Sequence, residues 1–102
     1  MFNKEKRYIT RGINADVDVK LQYVMWNLID ELKKKESFKI DYLQVFILKP
    51  VDTNIVSITH KQEIQEYSHE YIMEGVTLHN LQKVYVIDSE DEYSTMLLAE
   101  EY

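Results

Sequence analysis

The chain has 102 residues, of which 45% are hydrophobic and 29% charged, and it carries a formal net charge of −6. That is one globular domain with a modest core, neither a disordered chain nor one with a membrane span, since no apolar run approaches about 18 residues. Zero cysteines exclude disulfides, thiolate zinc sites and cysteine nucleophiles.

The first predicted element is a strand over Arg7-Tyr8-Ile9-Thr10-Arg11, ended by Gly12 and followed by a connection from Asn14 to Asp18. From Asp18 to about Lys35 the spacing predicts one long helix. Leu21, Val24, Met25, Leu28, Ile29 and Leu32 fall on one side of a 3.6-residue turn, with Tyr23 and Trp26 beside them. Asp16 or Asp18 can cap its start, and Lys33, Lys34 and Lys35 suit its negative end. Glu36-Ser37 break the pattern. Ile40 to Leu48 is apolar on both faces, so it is expected to be a central strand with the helix against one side.

Pro50 through Asn54 predicts a turn, because Pro donates nothing to a ladder. Ile55 to Thr59 alternates and pairs back as a hairpin. The stretch from His60 to Glu74 fits a helix capped by Thr59 and Gln62. It also fits a strand with Tyr67, His69, Tyr71 and Met73 on one face, and the strand is favoured. Gly75 to Asn80 is a loop, Lys83 to Asp88 a strand, Asp88 to Glu92 an acidic turn and Tyr93 to Leu98 a last strand. The expected class is therefore α+β: one long amphipathic helix packed on a strongly bent antiparallel sheet of five or six strands, with a partial barrel as the extreme of that bending.

Charge is divided unevenly. Residues 1–61 sum to +3 and residues 62–102, with Lys83 as their one base, to −9. An acidic chain is a poor match for a phosphate backbone and a better one for a basic protein. The basic residues Lys4, Lys6, Arg7 and Arg11 are read as charge that protects an edge strand.

Candidate chemistry is sparse. His60, Glu63 and His69 lack the tight spacing of a metal site, and His60 reads as a hydrogen-bonding surface residue. Ser94, His60 and Asp88 can be written as a nucleophilic triple, but there is no nucleophile elbow. Gly12 and Gly75 stand alone, so no loop cradles a phosphate. The expectation is a non-enzyme without metal or cofactor.

The partner-binding candidates are Glu63, Glu66, Tyr67, Glu70, Tyr71, Glu74, Asp88, Glu90, Asp91 and Glu92. Tyrosine beside carboxylate offers contact area at low entropy cost plus steering of a basic partner. Half-buried sheet tyrosines with hydroxyls in water are the alternative for Tyr67 and Tyr71.

Six stretches resemble a known family when taken in order. They are Arg7–Gly12, Trp26–Asp30, Asp41–Phe46, His60–Glu63 with Glu66-Tyr67, Val86–Asp88, and Ser94–Tyr102. Together they resemble the family labelled staphylococcal protein of unknown function, domain of unknown function nine hundred and sixty. The resemblance implies a compact α+β domain from low-GC Gram-positive bacteria and their mobile elements, with no catalytic residues to carry over. Ile64-Gln65 stand where relatives are expected to have proline, which supports the strand reading. Glu70, Glu74, Glu90 and Glu92 fall outside the shared pattern and mark where this chain is specialised.

The expected function is a cytoplasmic inhibitor from a mobile element, anti-CRISPR-like, whose carboxylates occupy the basic channel of a protein such as an RNA-guided nuclease. No direct nucleic-acid or membrane contact is expected. A regulatory or housekeeping adaptor, with a homodimer through edge strands and tyrosines, is the alternative. A small-molecule site would require a deep pocket.

Overall fold

The computed structural model describes residues 1–102. Strand β1 (Arg7–Ile9) is followed by helices α1 (Arg11–Asp16) and α2 (Val19–Lys33). Strands β2 (Leu43–Asp52), β3 (Ile55–Gln62), β4 (Tyr67–Glu74), β5 (Gln82–Ser89) and β6 (Tyr93–Leu98) follow, with a closing 3-10 turn at Ala99–Glu101. They form one six-stranded sheet in the order β1-β6-β5-β2-β3-β4.

Two features of the expected sheet need correction. The sheet is mixed, because β1 runs parallel to β6, pairing Arg7 with Ser94 and Ile9 with Met96. It is also open, with β1 and β4 as free ends, and does not close into a barrel. The chain leaves β1 through both helices before it enters the sheet centre, and that crossover makes a parallel neighbour possible.

The predicted helix is shorter than expected, Val19–Lys33, and a second, short helix precedes it in place of the predicted strand end and connection. α2 has 15 residues, about 22 Å, and is preceded by the six-residue α1. What reads as the end of a strand at Thr10-Arg11-Gly12 is a helix start: Thr10 caps it, its Oγ1 accepting the Ile13 N–H at 3.3 Å. Ile13 and Val17 then bury on one side at i, i+4 spacing. Asp18 caps α2, with Oδ1 accepting the Lys20 N–H at 2.8 Å. Leu21, Met25, Ile29 and Leu32 are buried as the periodicity predicts, Val24 and Leu28 flank them, and Tyr23 points into solvent.

Strand β2 is central, between β5 and β3. Its helix-facing side is Gln44, Phe46 and Leu48, while Leu43, Val45 and Ile47 lie on the more open face. Pro50 lies inside β2 and not in the turn, which is shortened to Thr53-Asn54. The reason is local: β5 pairs with β2 only as far as Leu48, so Pro50 needs no donor on that side, and the register shifts between Pro50 and Asp52. The ambiguous stretch resolves as strand, with β3 running on to Gln62 and β4 occupying Tyr67–Glu74.

The core lies between the helices and one sheet face. Phe46, Leu48, Val56, Ile58, Val84, Val86, Met96 and Leu98 pack against Ile13, Val17, Leu21, Met25 and Ile29, with Phe2 and Val76 closing the ends.

Arg7 points inward rather than guarding an edge. Its guanidinium grips both oxygens of Asp30 on α2, donates to the Phe2 carbonyl at 2.8 Å and lies over Trp26 at 4.7 Å. This fork ties β1 to α2. Arg7→Met is expected to cost about 2 kcal/mol, measured by urea unfolding, because Asp30 keeps its charge with only the exposed Lys4, 4.0 Å away, beside it.

Candidate functional site: the acidic corner between β5 and β6

The ten residues proposed from sequence do not form one surface. Glu63 and Glu66 lie in the β3–β4 turn, and Tyr67, Glu70, Tyr71 and Glu74 on β4, an edge of the sheet. Asp88 ends β5, and Glu90, Asp91 and Glu92 form the β5–β6 turn. Strands β2 and β3 lie between β5 and β4, so the two groups are three strand spacings apart, about 14 Å.

Tyr67 and Tyr71 belong to the wall of the core. Tyr67 packs edge-on against Phe38 and His60, and its hydroxyl lies 3.2 Å from that of Tyr71. Burial, with help from the Tyr71 hydroxyl, pushes its phenol up to about 12. Both rings are half-buried, and their hydroxyls lie against each other.

His60 is fully buried, correcting its expected place at the surface. It stacks on Phe46 at 4.4 Å between ring centres. Its Nε2 lies 2.6 Å from Gln44 Oε1, and since the Gln44 amide nitrogen donates to Gln62 and to the Asp41 carbonyl, His60 carries its proton on Nε2. Burial lowers its pKa to about 4. Gln62 in turn donates to the carbonyls of Lys39, Ile64 and Gln65. This buried His60–Gln44–Gln62 chain fastens the β3–β4 turn to the segment entering β2. It leaves His60 no role with Ser94 and Asp88, which face each other across β5 and β6, two strands away. No group of three His, Asp or Glu side chains is placed to hold a metal ion.

Asp88 is buried rather than presented. Its Oδ1 accepts the Phe2 N–H at 2.9 Å and its Oδ2 the Asp91 N–H at 3.0 Å, so it holds the acidic turn from beneath. The Glu92 N–H donates to the Ser89 carbonyl at 3.0 Å, closing a turn whose central residues Glu90 and Asp91 are both left-handed, with φ of 53° and 62°. Such a turn favours Asn-Gly. Filling it with Glu-Asp costs about 1–2 kcal/mol of backbone strain at the glutamate. Charge is thus displayed where local conformation argues against it.

Aromatic surface flanks the acids. A concavity of about 720 Å³ joins Met1, Tyr42, Ile87 and Tyr93 to Glu90, Asp91 and Glu92. A second, of about 410 Å³, shares Glu92 and Tyr93 and adds Tyr8 and Lys6. Tyr8 and Tyr93 meet edge to face at 6.0 Å. All three tyrosines are exposed, and the cations at the corner are Lys6 and the chain's amino terminus, which pairs with Asp91 at 3.2 Å. The combination of tyrosine with carboxylate therefore exists, but with Tyr8, Tyr42 and Tyr93. Tyr93 directly follows the acidic run in sequence, a signal open to reading. Tyr42 arrives through pairing of β2 with β5, where the Asp88 N–H donates to its carbonyl at 2.9 Å.

A single helical layer on one face of an open mixed sheet, with shallow surface hollows, defines a small two-layer α+β domain. The chain belongs to the family described as Staphylococcal protein of unknown function (DUF960), whose pattern spans residues 6–101. Its fold is similar to that in the crystal structure of the protein of unknown function from Enterococcus faecalis. The likeness has a TM-score of 0.81 at 20% identity and covers 99% of this chain and 94% of that one. Among curated proteins none matches. No helix is long and apolar enough to cross a membrane.

Proposed function

We propose that the chain is a non-enzymatic protein-binding module whose β5–β6 corner takes up a basic surface of a protein partner. The strained turn carries this reading. Glu90 and Asp91 hold left-handed conformations, Asp88 is spent on supporting them, and Tyr42, Tyr93 and Tyr8 supply flat contact area around them. Such a corner suits Lys- and Arg-bearing partners, which its charge attracts over distance and its rings then hold. In its narrower form the reading is an inhibitor of the anti-CRISPR kind. Carboxylates would compete with phosphate for the cationic channel of an RNA-guided nuclease, a class analogy that the acidic charge supports.

The triple reversal Glu90→Lys, Asp91→Lys, Glu92→Lys tests it. All three side chains are exposed, so folding should survive. Capture from host lysate by the native chain is expected to be strong at low salt and weaker at moderate salt. The triple variant is expected to bind the captured protein about tenfold to a hundredfold less tightly. Equal capture by both chains would overturn the proposal.

A further inference from the structure

The two edges of the sheet are treated differently. β1 is three residues long, too short to template another strand. β4 is eight residues long, contains no Pro, Lys or Arg, pairs with β3 without a register shift, and has no neighbour on its other side. Its only edge-blunting feature is the acidic charge of Glu70 and Glu74, which discourages an acidic strand and not a basic one.

The unpaired backbone groups can be assigned. The Gly75 N–H donates to the Asn54 carbonyl at 2.8 Å, and these two residues continue the β3–β4 register, in which Ile55 faces Glu74. Alternation along an antiparallel ladder then directs the backbone groups of Ser68, Glu70, Ile72 and Glu74 outward. Their side chains share the sheet face opposite the helices, where Ile72 is 61% exposed. Glu70 and Glu74 stand four residues apart on this face, about 13 Å. Glu70 is held in place by the Ser57 hydroxyl, which donates to its Oε2 at 2.6 Å.

We propose that this edge accepts an extended segment of a basic protein partner as a seventh strand. The segment carries Lys or Arg opposite Glu70 and Glu74 and an apolar residue opposite Ile72, a basic–x–apolar–x–basic pattern. Main-chain hydrogen bonds provide the attachment and the three side-chain pairs select the sequence. A second copy of this chain fits less well. Pairing by the same edge sets the carboxylates of one β4 opposite or diagonal to those of the other, where like charges repel. The proposal stands apart from the β5–β6 corner, which is a different surface.

The test uses the isotopically labelled full chain and a short synthetic peptide centred on Arg-Thr-Val-Thr-Arg. Binding is expected to slow hydrogen exchange at the amides of Ser68, Glu70, Ile72 and Glu74. Backbone N-methylation of the peptide at its bonding positions should abolish binding, as should Ile72→Pro, which removes an outward N–H and leaves the β3 ladder intact. Glu74→Lys should weaken binding about fivefold. Charge reversal at Glu90, Asp91 and Glu92 should change it less than twofold, which separates this surface from the corner. The proposal is overturned by no binding at about 1 mM peptide, by equal binding of the peptide with Glu in place of Arg, or by binding without protection of those four amides. A concentration-dependent dimer that protects the same amides overturns it too.

Discussion

Phe46→Ala is expected to lower the free energy of unfolding by about 3–5 kcal/mol, enough to consume much of the stability of a chain of this size. Phe46 lies on the central strand, fully buried, on the face that meets the helices. Val84 flanks it from β5 and His60 from β3, the latter stacked at 4.4 Å. Few neighbours can move into the space, because sheet registers on both sides fix them. The truncation also strips the ring that covers His60, so a polar group loses apolar shelter and a cavity opens together. Urea unfolding at neutral pH measures the effect. A loss below about 1 kcal/mol would mean that the site collapses freely and that the sheet centre is not the core.

Acid is expected to remove about 3 kcal/mol of stability through His60 alone. Burial lowers its pKa in the folded chain from 6.5 to about 4. Between those values the unfolded chain binds a proton that the folded chain refuses, so stability rises with pH across that window. The contribution is complete above pH 6.5 and falls away as pH drops towards 4. His60→Gln keeps an N–H for Gln44 and cannot titrate. Its stability should therefore change by about 3 kcal/mol less than that of the native chain between pH 7 and pH 4, whatever its absolute value. Equal pH dependence of the two chains would show that His60 is accessible to protons in the folded state.

The sequence disclosed most of the sheet because alternation is local. Val56, Ile58, His60 and Gln62 alternate inward along β3, and taking that pattern through His60 would have shown it buried. Helix α1 was hidden by its length and by Gly12 within it. Its start depends on the Thr10 side chain and on the distant Glu101, which accepts the Gly12 N–H, and its reason on Ile13 and Val17 reaching a core that other elements build. The parallel pairing of β1 with β6 joins residues about ninety positions apart, and no nearby pattern encodes it. The acidic turn was legible as a turn and as charge. That Asp88 supports it, and that Tyr42 and Tyr8 border it, depends on neighbours from other strands. Counting carboxylates along the chain merged β4 with the β5–β6 corner, which the sheet order holds apart.

Recognition through the β5–β6 corner is tested most directly by titrating the labelled chain with the basic protein it captures and following every backbone amide. The largest shifts are expected at Ser89 to Tyr93, Tyr42 and Tyr8, and they should fade as salt rises. Shifts confined to other parts of the molecule, or undiminished in the Glu90, Asp91 and Glu92 reversal, would contradict it.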